Sequence, residues 1–354
     1  MISKITLKNF RLYDDFSINC NNRLVILSGK NAVGKTSILE AINIASTTKS
    51  HRSINLLDVI KNDKEYLQIN LTNDDKNFKI ILSKNEKNYF INGIKINKAS
   101  DFIGNLKTVM FSPQDQELID GSKQIRRRFL DLDISLNDKE YLITLSKYKK
   151  LLLERNNILK SDKLNQAYLN VITLELISNL KIINKKRKDF INLLNQKLEE
   201  TSKELGIKKI ELKYHETYDI NDLEKSFSDK LKSDILTKST NIGTHRDDLI
   251  IYYNDLLAIN YASEGEKRII AISIKLSLAR LIEDIYKIKP IIMLDDVYAS
   301  LDKDKIKALS NYVLRNCQTF ITTTSILEIP DVILKDALVI RIEKEIKWWK
   351  RIRN

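Results

Sequence analysis

The sequence predicts an α/β fold interrupted by an inserted helical lobe with a short coiled coil, and three observations carry that prediction. An apolar strand over 23–28 runs into Gly29-Lys30-Asn31-Ala32-Val33-Gly34-Lys35-Thr36, which fits G-x-x-x-x-G-K-[ST], and a helix with one apolar face follows. A second apolar run, Ile291-Ile292-Met293-Leu294, ends in Asp295-Asp296. Between them neither Gly nor Pro occurs from 122 to 205, where apolar residues recur at helical steps. Strand and helix units at both ends, with a long helical stretch between, describe one α/β body built from both ends of the chain around an insertion.

Each element has its own signal. Ile5 and Leu7 alternate with Thr6 and Lys8, as in a half-buried strand. Ile38, Ala41, Ile42 and Ala45 give the helix after the glycine loop its apolar face. Tyr66-Leu67-Gln68-Ile69, Phe78-Lys79-Ile80-Ile81 and Tyr89-Phe90-Ile91 are strand-like, and Asn92-Gly93 is a type I′ hairpin signal. Tyr141, Leu145, Tyr148, Leu152 and Leu159 then follow steps of three and four, with Arg155 in the missing place. After Ser161-Asp162 comes a second series: Leu169, Ile172, Leu176, Leu180, Ile183, Arg187, Phe190, Leu194, Leu198, Leu205. So narrow a seam suits two helices packed lengthwise, the second spanning ~60 Å if unbroken. Beyond 240, strand and helix alternate again. The expected organisation is one half of the α/β body at 1–134, the helical lobe at 135–235 and the other half at 236–354.

Composition narrows the classes of function. The chain has 354 residues, is 43% hydrophobic and carries a net charge of +13, which allows a sizeable core and favours an anionic partner. Bias toward Lys, Asn and Ile can also reflect coding composition. Cys20 and Cys317 stand far apart with no metal-type spacing, which suits a reducing compartment. No apolar run reaches the ~20 residues that span a bilayer, and no leader pattern opens the chain. The expectation is a soluble, cytoplasmic protein without a membrane partner.

The motifs point to nucleotide chemistry. Glycines in the loop let backbone N–H groups face phosphates, and the next helix adds its positive end. Lys35 would reach the β- and γ-phosphates, and Thr36 would place its hydroxyl on Mg²⁺. Asp295 is the expected Mg²⁺ carboxylate, directly or through bound water, and Asp296 the base or orienter for attacking water. In Ser263-Glu264-Gly265-Glu266, Ser263 and Gly265 offer a hydroxyl and a backbone N–H to a phosphate; the same residues also read as a plain helix N-cap with first-turn acids. Candidate nucleic-acid contacts are Lys185-Lys186-Arg187-Lys188, Arg126-Arg127-Arg128 and the tail Lys347-Trp348-Trp349-Lys350-Arg351.

These segments stand in the order found in the RecF family of the ABC and SMC-like ATPase superfamily, and the chain resembles that family over nearly its whole length. The resemblance includes Lys8-Asn9-Phe10-Arg11, Lys49-Ser50-His51-Arg52, Phe111-Ser112-Pro113, Arg127-Arg128-Phe129-Leu130-Asp131, Gly243-Thr244-His245-Arg246-Asp247-Asp248, Leu301-Asp302 and Thr322-Thr323-Thr324. It implies an ABC-type ATPase head with a mixed sheet and an antiparallel β subdomain. Ser263 and Gly265 would meet the nucleotide held by a second copy, so ATP would join a homodimer. Arg11 and the His51-Arg52 segment would lie around base, ribose or phosphates. Gln114 would monitor Mg²⁺ and the γ-phosphate, Asp302 would cross the dimer interface, and Thr324 would replace the histidine switch of transporters. The implied activity is weak, slow ATP hydrolysis by a recombination mediator on single-stranded and gapped duplex DNA, with RecR and RecO as partners.

The alternatives are another ABC-type ATPase, such as a defence ATPase, a transporter subunit or a structural ATP-dependent dimer. The sequence departs from the family where Gly is usual at Ala32, Gln at Glu264 and Glu266, and Pro at Thr244. Asp296 is one methylene shorter than the Glu many ABC ATPases carry. Ala32 is tolerated if its backbone avoids positive φ, and the two Glu residues add charge near a triphosphate.

Overall fold

A computed structural model describes residues 1–53, 55–298, 303–314 and 317–343. The chain forms two compact units, residues 1–113 with 289–354, and residues 114–288. The glycine loop and the Asp295-Asp296 strand end belong to the first. The Ser263 segment belongs to the second.

In the first unit, strands β1 (Ile2–Phe10), β2 (Tyr13–Asn19), β3 (Leu24–Ser28), β4 (Tyr66–Asn73), β5 (Asn77–Ser83), β6 (Lys87–Ile91), β7 (Ile94–Ile96) and β8 (Thr108–Phe111) precede the second unit, which holds β9–β11. Strands β12 (Ile291–Asp295), β13 (Thr319–Thr323) and β14 (Ala337–Arg341) follow it. Parallel and antiparallel strands are segregated into two sheets. One is antiparallel, in the order β2-β1-β4-β5-β6-β7; the other is parallel, in the order β14-β3-β13-β12-β8. Strands β3, β12 and β13 are buried at every position, as inner strands of a parallel sheet are when both faces are covered.

Helix α1 (Lys35–Thr47) supplies Ile38, Leu39, Ile42 and Ala45 to a core shared with Ile5, Leu7, Ile69 and Ile80 of the antiparallel sheet and Val25 and Leu27 of the parallel one. Asn92 and Gly93 both take positive φ, 52° and 80°, as the hairpin signal requires.

The second unit contains α2 (Lys123–Asn137), α3 (Lys139–Lys160), α4 (Gln166–Leu205), α5 (Leu223–Thr237) and α6 (Glu264–Tyr286), with a small sheet of β9 (Ile210–His215), β10 (Asp248–Tyr253) and β11 (Leu256–Leu257). Helix α4 is unbroken over 40 residues, about 60 Å at 1.5 Å per residue. Asn165 caps its start by accepting from the Tyr168 amide, and Gly206 ends it at φ 61°. Arg155 pairs with Thr173, Lys147 with Glu175, and Tyr141 with Arg187, so α3 and α4 run antiparallel.

The buried set departs from the predicted seam in places. Leu151 is buried where Leu152 was expected, and Leu205 is half-buried. Ile177, Ile191, Thr201 and Ser202 are buried as well. The broader face has a cause: α4 also packs on α6, where Ser277 donates to Thr201 at 2.9 Å, and on β9, where Asn195 brackets the Leu212 backbone. The last long helix, α7 (Lys303–Leu314), returns to the first unit.

Candidate nucleotide site

The loop after β3 owes its shape to backbone conformations that side chains resist. Gly29 and Gly34 have φ of 157° and 110°, and a Cβ on either would meet Ile342 O at 2.3 Å or the Tyr13 hydroxyl at 2.5 Å. Ala32 is a correction to the sequence reading. Its φ is 62°, in the left-handed region that its tolerance was expected to require it to avoid, at a cost of roughly 1–2 kcal/mol. Lys30, Asn31 and Ala32 form the exposed crown of the loop, while Val33 and Gly34 are buried beneath it. Lys35 folds back so that Nζ donates to Gly29 O at 2.7 Å and Lys30 O at 2.9 Å. A buried ammonium held by two carbonyls of a glycine loop suits a group that also serves phosphate oxygens.

Parallel register places the acidic part of the site. Asp295 at the end of β12 stands opposite Thr322 of β13. The Thr36 hydroxyl donates to Asp295 Oδ1 at 2.8 Å, and the Thr322 hydroxyl donates to the same oxygen at 2.7 Å. Thr322 Oγ1 also accepts from the Asp296 amide at 3.0 Å. Asp296 lies just past the strand at φ 50°, half-buried. Burial, then the neighbouring Asp295, push its carboxyl above the usual carboxylate range. Thr324 is exposed one residue beyond β13. Among the described residues no group of three or more His, Cys, Asp or Glu side chains gathers as metal ligands. One carboxylate beside a hydroxyl is the donor set by which Mg²⁺ is held together with phosphate oxygens and water.

A second cluster is built one turn further along α1, on Glu40, four residues after Thr36. Glu40 is fully buried and accepts from Arg11 Nε at 2.9 Å, Arg11 Nη2 at 2.6 Å and the Ser50 hydroxyl at 2.5 Å. Burial alone would raise its pKa, but the hydrogen bonds from Arg11 and Ser50 overcome that and hold it below the usual range. Ser50 Oγ accepts in turn from the Arg52 and Ser53 amides. The Arg11 guanidinium is thus engaged by Glu40, Ser53 and the Asp58 carbonyl. Both ring nitrogens of His51 are buried without a hydrogen-bond partner. Burial lowers its pKa to about 4, against the opposing pull of Glu40 and Asp295. Sequence reasoning overlooked Glu40 and gave Thr322 no separate role. Glu40 was detectable in principle, as the lone carboxylate of α1, one turn after Thr36 and opposite the face of Ile38, Ala41, Ile42 and Ala45.

In the second unit, Ser263 caps α6. Its hydroxyl accepts from the Glu266 amide at 3.3 Å, and Glu266 Oε2 accepts from the Ser263 amide at 2.9 Å, a complete capping box. Glu264 accepts from Lys267 at 2.8 Å and from Gln116, and hydrogen bonds from these two residues lower its pKa. Both departures from the usual Gln are therefore satisfied within this unit. Gly265 lies in the first turn with open space around its Cα, and Gln114 is exposed at the start of the unit. Asp302, Leu301 and the Lys347–Arg351 tail lie outside the described residues.

Two basic segments are partly taken up by the fold: Arg187 and Arg126 are buried, while Lys185 and Arg128 are exposed. Arg187 is 1% exposed; it donates to Asp131 at 2.7 Å, Tyr141 at 2.9 Å and Thr244 O at 2.8 Å. Its neighbours Lys186 and Lys188 pair with Asp138, Glu140 and Glu216. Arg126 makes a two-pronged pair with Asp248, at 2.8 and 3.0 Å, and Arg127 donates to Asp247 O. Tyr214 and Tyr218 close the network on Asp247, and His245 bonds Tyr148 and the Thr240 carbonyl. The Arg127–Asp131 and Gly243–Asp248 motifs thus meet in one buried polar core, where unpaired charges would be costly.

The family model described as RecF/RecN/SMC N terminal domain matches residues 1–332. The DNA replication and repair protein RecF of Acholeplasma laidlawii is 39% identical over 326 residues, covering 91% of this chain and 93% of that protein. The chain belongs to the RecF family. The RecF of Streptococcus gordonii is 35% identical, over 92% of this chain and 94% of its own length. Among solved structures, the recombination mediator protein RecF-ATP of the RecFOR pathway superposes with a TM-score of 0.89 at 28% identity, covering 98% of this chain and 96% of that one. An SmcHead bound to the C-winged helix domain of ScpA shares the fold, with a TM-score of 0.54 at 16% identity. The RecF match spans both units. Among the described residues no helix is long and apolar enough to cross a membrane.

Proposed function

We propose that this RecF-family chain is a DNA recombination mediator: it binds ATP with Mg²⁺, dimerises upon it, engages single-stranded and gapped duplex DNA, and hydrolyses the nucleotide slowly to let go. The observation that carries the reading is the meeting of Thr36, Asp295 and Thr322 on one carboxylate oxygen beside the glycine loop. That is the C-terminal edge of a parallel sheet, where α/β folds take their ligands. The loop amides of Lys30, Asn31, Ala32, Val33 and Gly34 cradle phosphates, and Lys35 leaves its carbonyl partners for the β- and γ-phosphates. Thr36 and Asp295 hold the cation with Gln114, and Asp296 orients water. Bound Mg²⁺ supplies charge neutralisation at the phosphates.

Ser263 and Gly265 act on the nucleotide of the second copy, with Asp302 at that seam. Arg11 and Thr324 complete the nucleotide surroundings. The division into head halves 1–134 and 236–354 around a lobe at 135–235 belongs to the same proposal, as do RecR and RecO as partners and a cytoplasmic location. Binding to gapped duplex DNA, measured against salt with ATP and with ADP, tests it. The expected result is affinity that needs ATP and falls steeply with salt. Affinity indifferent to both contradicts it.

A further inference from the structure

We infer that the solvent face of the antiparallel sheet in the first unit is a binding surface for the phosphodiester backbone of duplex DNA. The inference rests on the DNA-binding reading above and names the surface that would serve it. The inward residues of this sheet, among them Ile5, Leu7, Ile69 and Ile80, fill the core. The outward residues follow from the register. One row crosses all six strands as Ser17, Thr6, Asn70, Lys79, Phe90 and Lys95. The rows on either side pass through Lys4 and Lys8, and the three rows together contain a single carboxylate, Asp15.

An excess of unpaired positive charge sets this face apart, with Asp15, opposite Lys8, as the single carboxylate of the three rows. Lys4, Lys8 and Lys95 are exposed and Lys79 is half-buried. Among the described residues none of the four pairs with a carboxylate. The lysines of the Lys185–Lys188 segment contrast with this: Lys186 and Lys188 are neutralised within the fold. Lys8 Nζ lies 6.0 Å from the Tyr66 ring centroid and Lys79 Nζ 5.9 Å from that of Phe90. The rings therefore carry lysine stems and ammonium groups, which leaves them poorly placed to stack bases.

The layout fits a duplex. Lys4 and Lys8 lie on one strand, ~13 Å apart at ~3.3 Å per residue, and Lys95 lies four strands away from them, ~19 Å at ~4.8 Å per strand. Cations spread in two dimensions over distances wider than a groove of ~6–12 Å face both of the phosphate rows that flank it. A single strand offers one row. The remaining positions are mostly Thr, Asn, Gln and Ser, which hydrogen-bond phosphate and sugar without reading bases.

The test is fluorescence anisotropy on a blunt duplex and on a single strand of equal length, with ATP, from 50 to 200 mM salt. It compares the wild type, the quadruple variant Lys4→Gln, Lys8→Gln, Lys79→Gln, Lys95→Gln, and the same four positions changed to Arg. Four phosphate contacts contribute ~3.6 to the slope of log affinity against log salt. The Gln variant should lose that much slope and bind duplex on the order of 100-fold more weakly at 50 mM salt. The Arg variant should keep both. ATP affinity and melting temperature, read in parallel, should match the wild type in both variants. Unaltered duplex binding by the Gln variant overturns the surface while leaving the DNA reading intact. Wild type that binds no DNA overturns both. A loss confined to the single strand overturns the duplex assignment.

Discussion

Removing Glu40 should loosen the site from beneath. Its carboxylate is fully buried and takes three short hydrogen bonds, two from Arg11 and one from Ser50. Deleting one partner of a buried ion pair costs ~3–5 kcal/mol. Arg11 is partly exposed, 21% by side chain, and can turn to water, so the low end, about 3 kcal/mol, applies to Glu40→Ala. In a domain of this size each kcal/mol moves Tm by about 2–4 °C, so the first unit should melt roughly 6–12 °C lower.

The pH dependence has a definite sign. Glu40 has a lowered pKa in the folded chain, so its stabilisation is present above the unfolded carboxylate value, ~4.3. It is lost as pH falls through the folded value. The Tm gap between wild type and Glu40→Gln should therefore be full at pH 7 and shrink below about pH 4. Calorimetry across pH, with nucleotide affinity measured alongside, is the assay. A Glu40→Ala chain that melts within 1 °C of wild type at pH 7 and binds ATP equally well refutes the reasoning.

Three further outcomes follow from the same geometry. Ala32→Gly relieves a left-handed alanine but frees the unfolded chain, so denaturant unfolding should register a net gain of about 0.5–1 kcal/mol with phosphate binding retained. Asp296→Asn should leave nucleotide binding intact and slow hydrolysis ~10²–10⁴-fold in single-turnover assays; an unchanged rate removes Asp296 from the base role. Arg187→Met should lower stability by about 3 kcal/mol, as loss of one partner of a buried pair does, and leave the DNA affinity of the folded fraction unchanged. A stable variant with weakened DNA binding would favour the Lys185–Lys188 segment as a contact surface.

What the sequence revealed depended on how local the cause was. The Gly29–Thr36 spacing, the Asn92-Gly93 turn and the seam from Leu169 to Leu198 are written in neighbouring residues, and all appear in the fold. The positive φ of Ala32 was hidden, because an alanine gives no sign of a backbone that only its loop imposes. Arg187 read as part of a basic run because its partners, Asp131, Tyr141 and Thr244, come from distant parts of the chain. Thr322 looked like one of three strand-end threonines until parallel register set it against Asp295. Lys4, Lys8, Lys79 and Lys95 are scattered along the sequence and share a face only after four strand pairings have formed.

We propose that ATP joins two copies through the Lys35 loop of one and the Ser263 helix of the other. Sedimentation velocity on the full chain with Mg²⁺ and ATP tests it most directly, using wild type, Lys35→Ala and Ser263→Arg. Wild type should sediment as a dimer in ATP and a monomer in ADP, and both variants as monomers in ATP, with Ser263→Arg still binding nucleotide. A wild type whose sedimentation is the same in ATP and ADP, or a Ser263→Arg chain that dimerises like wild type, would contradict it.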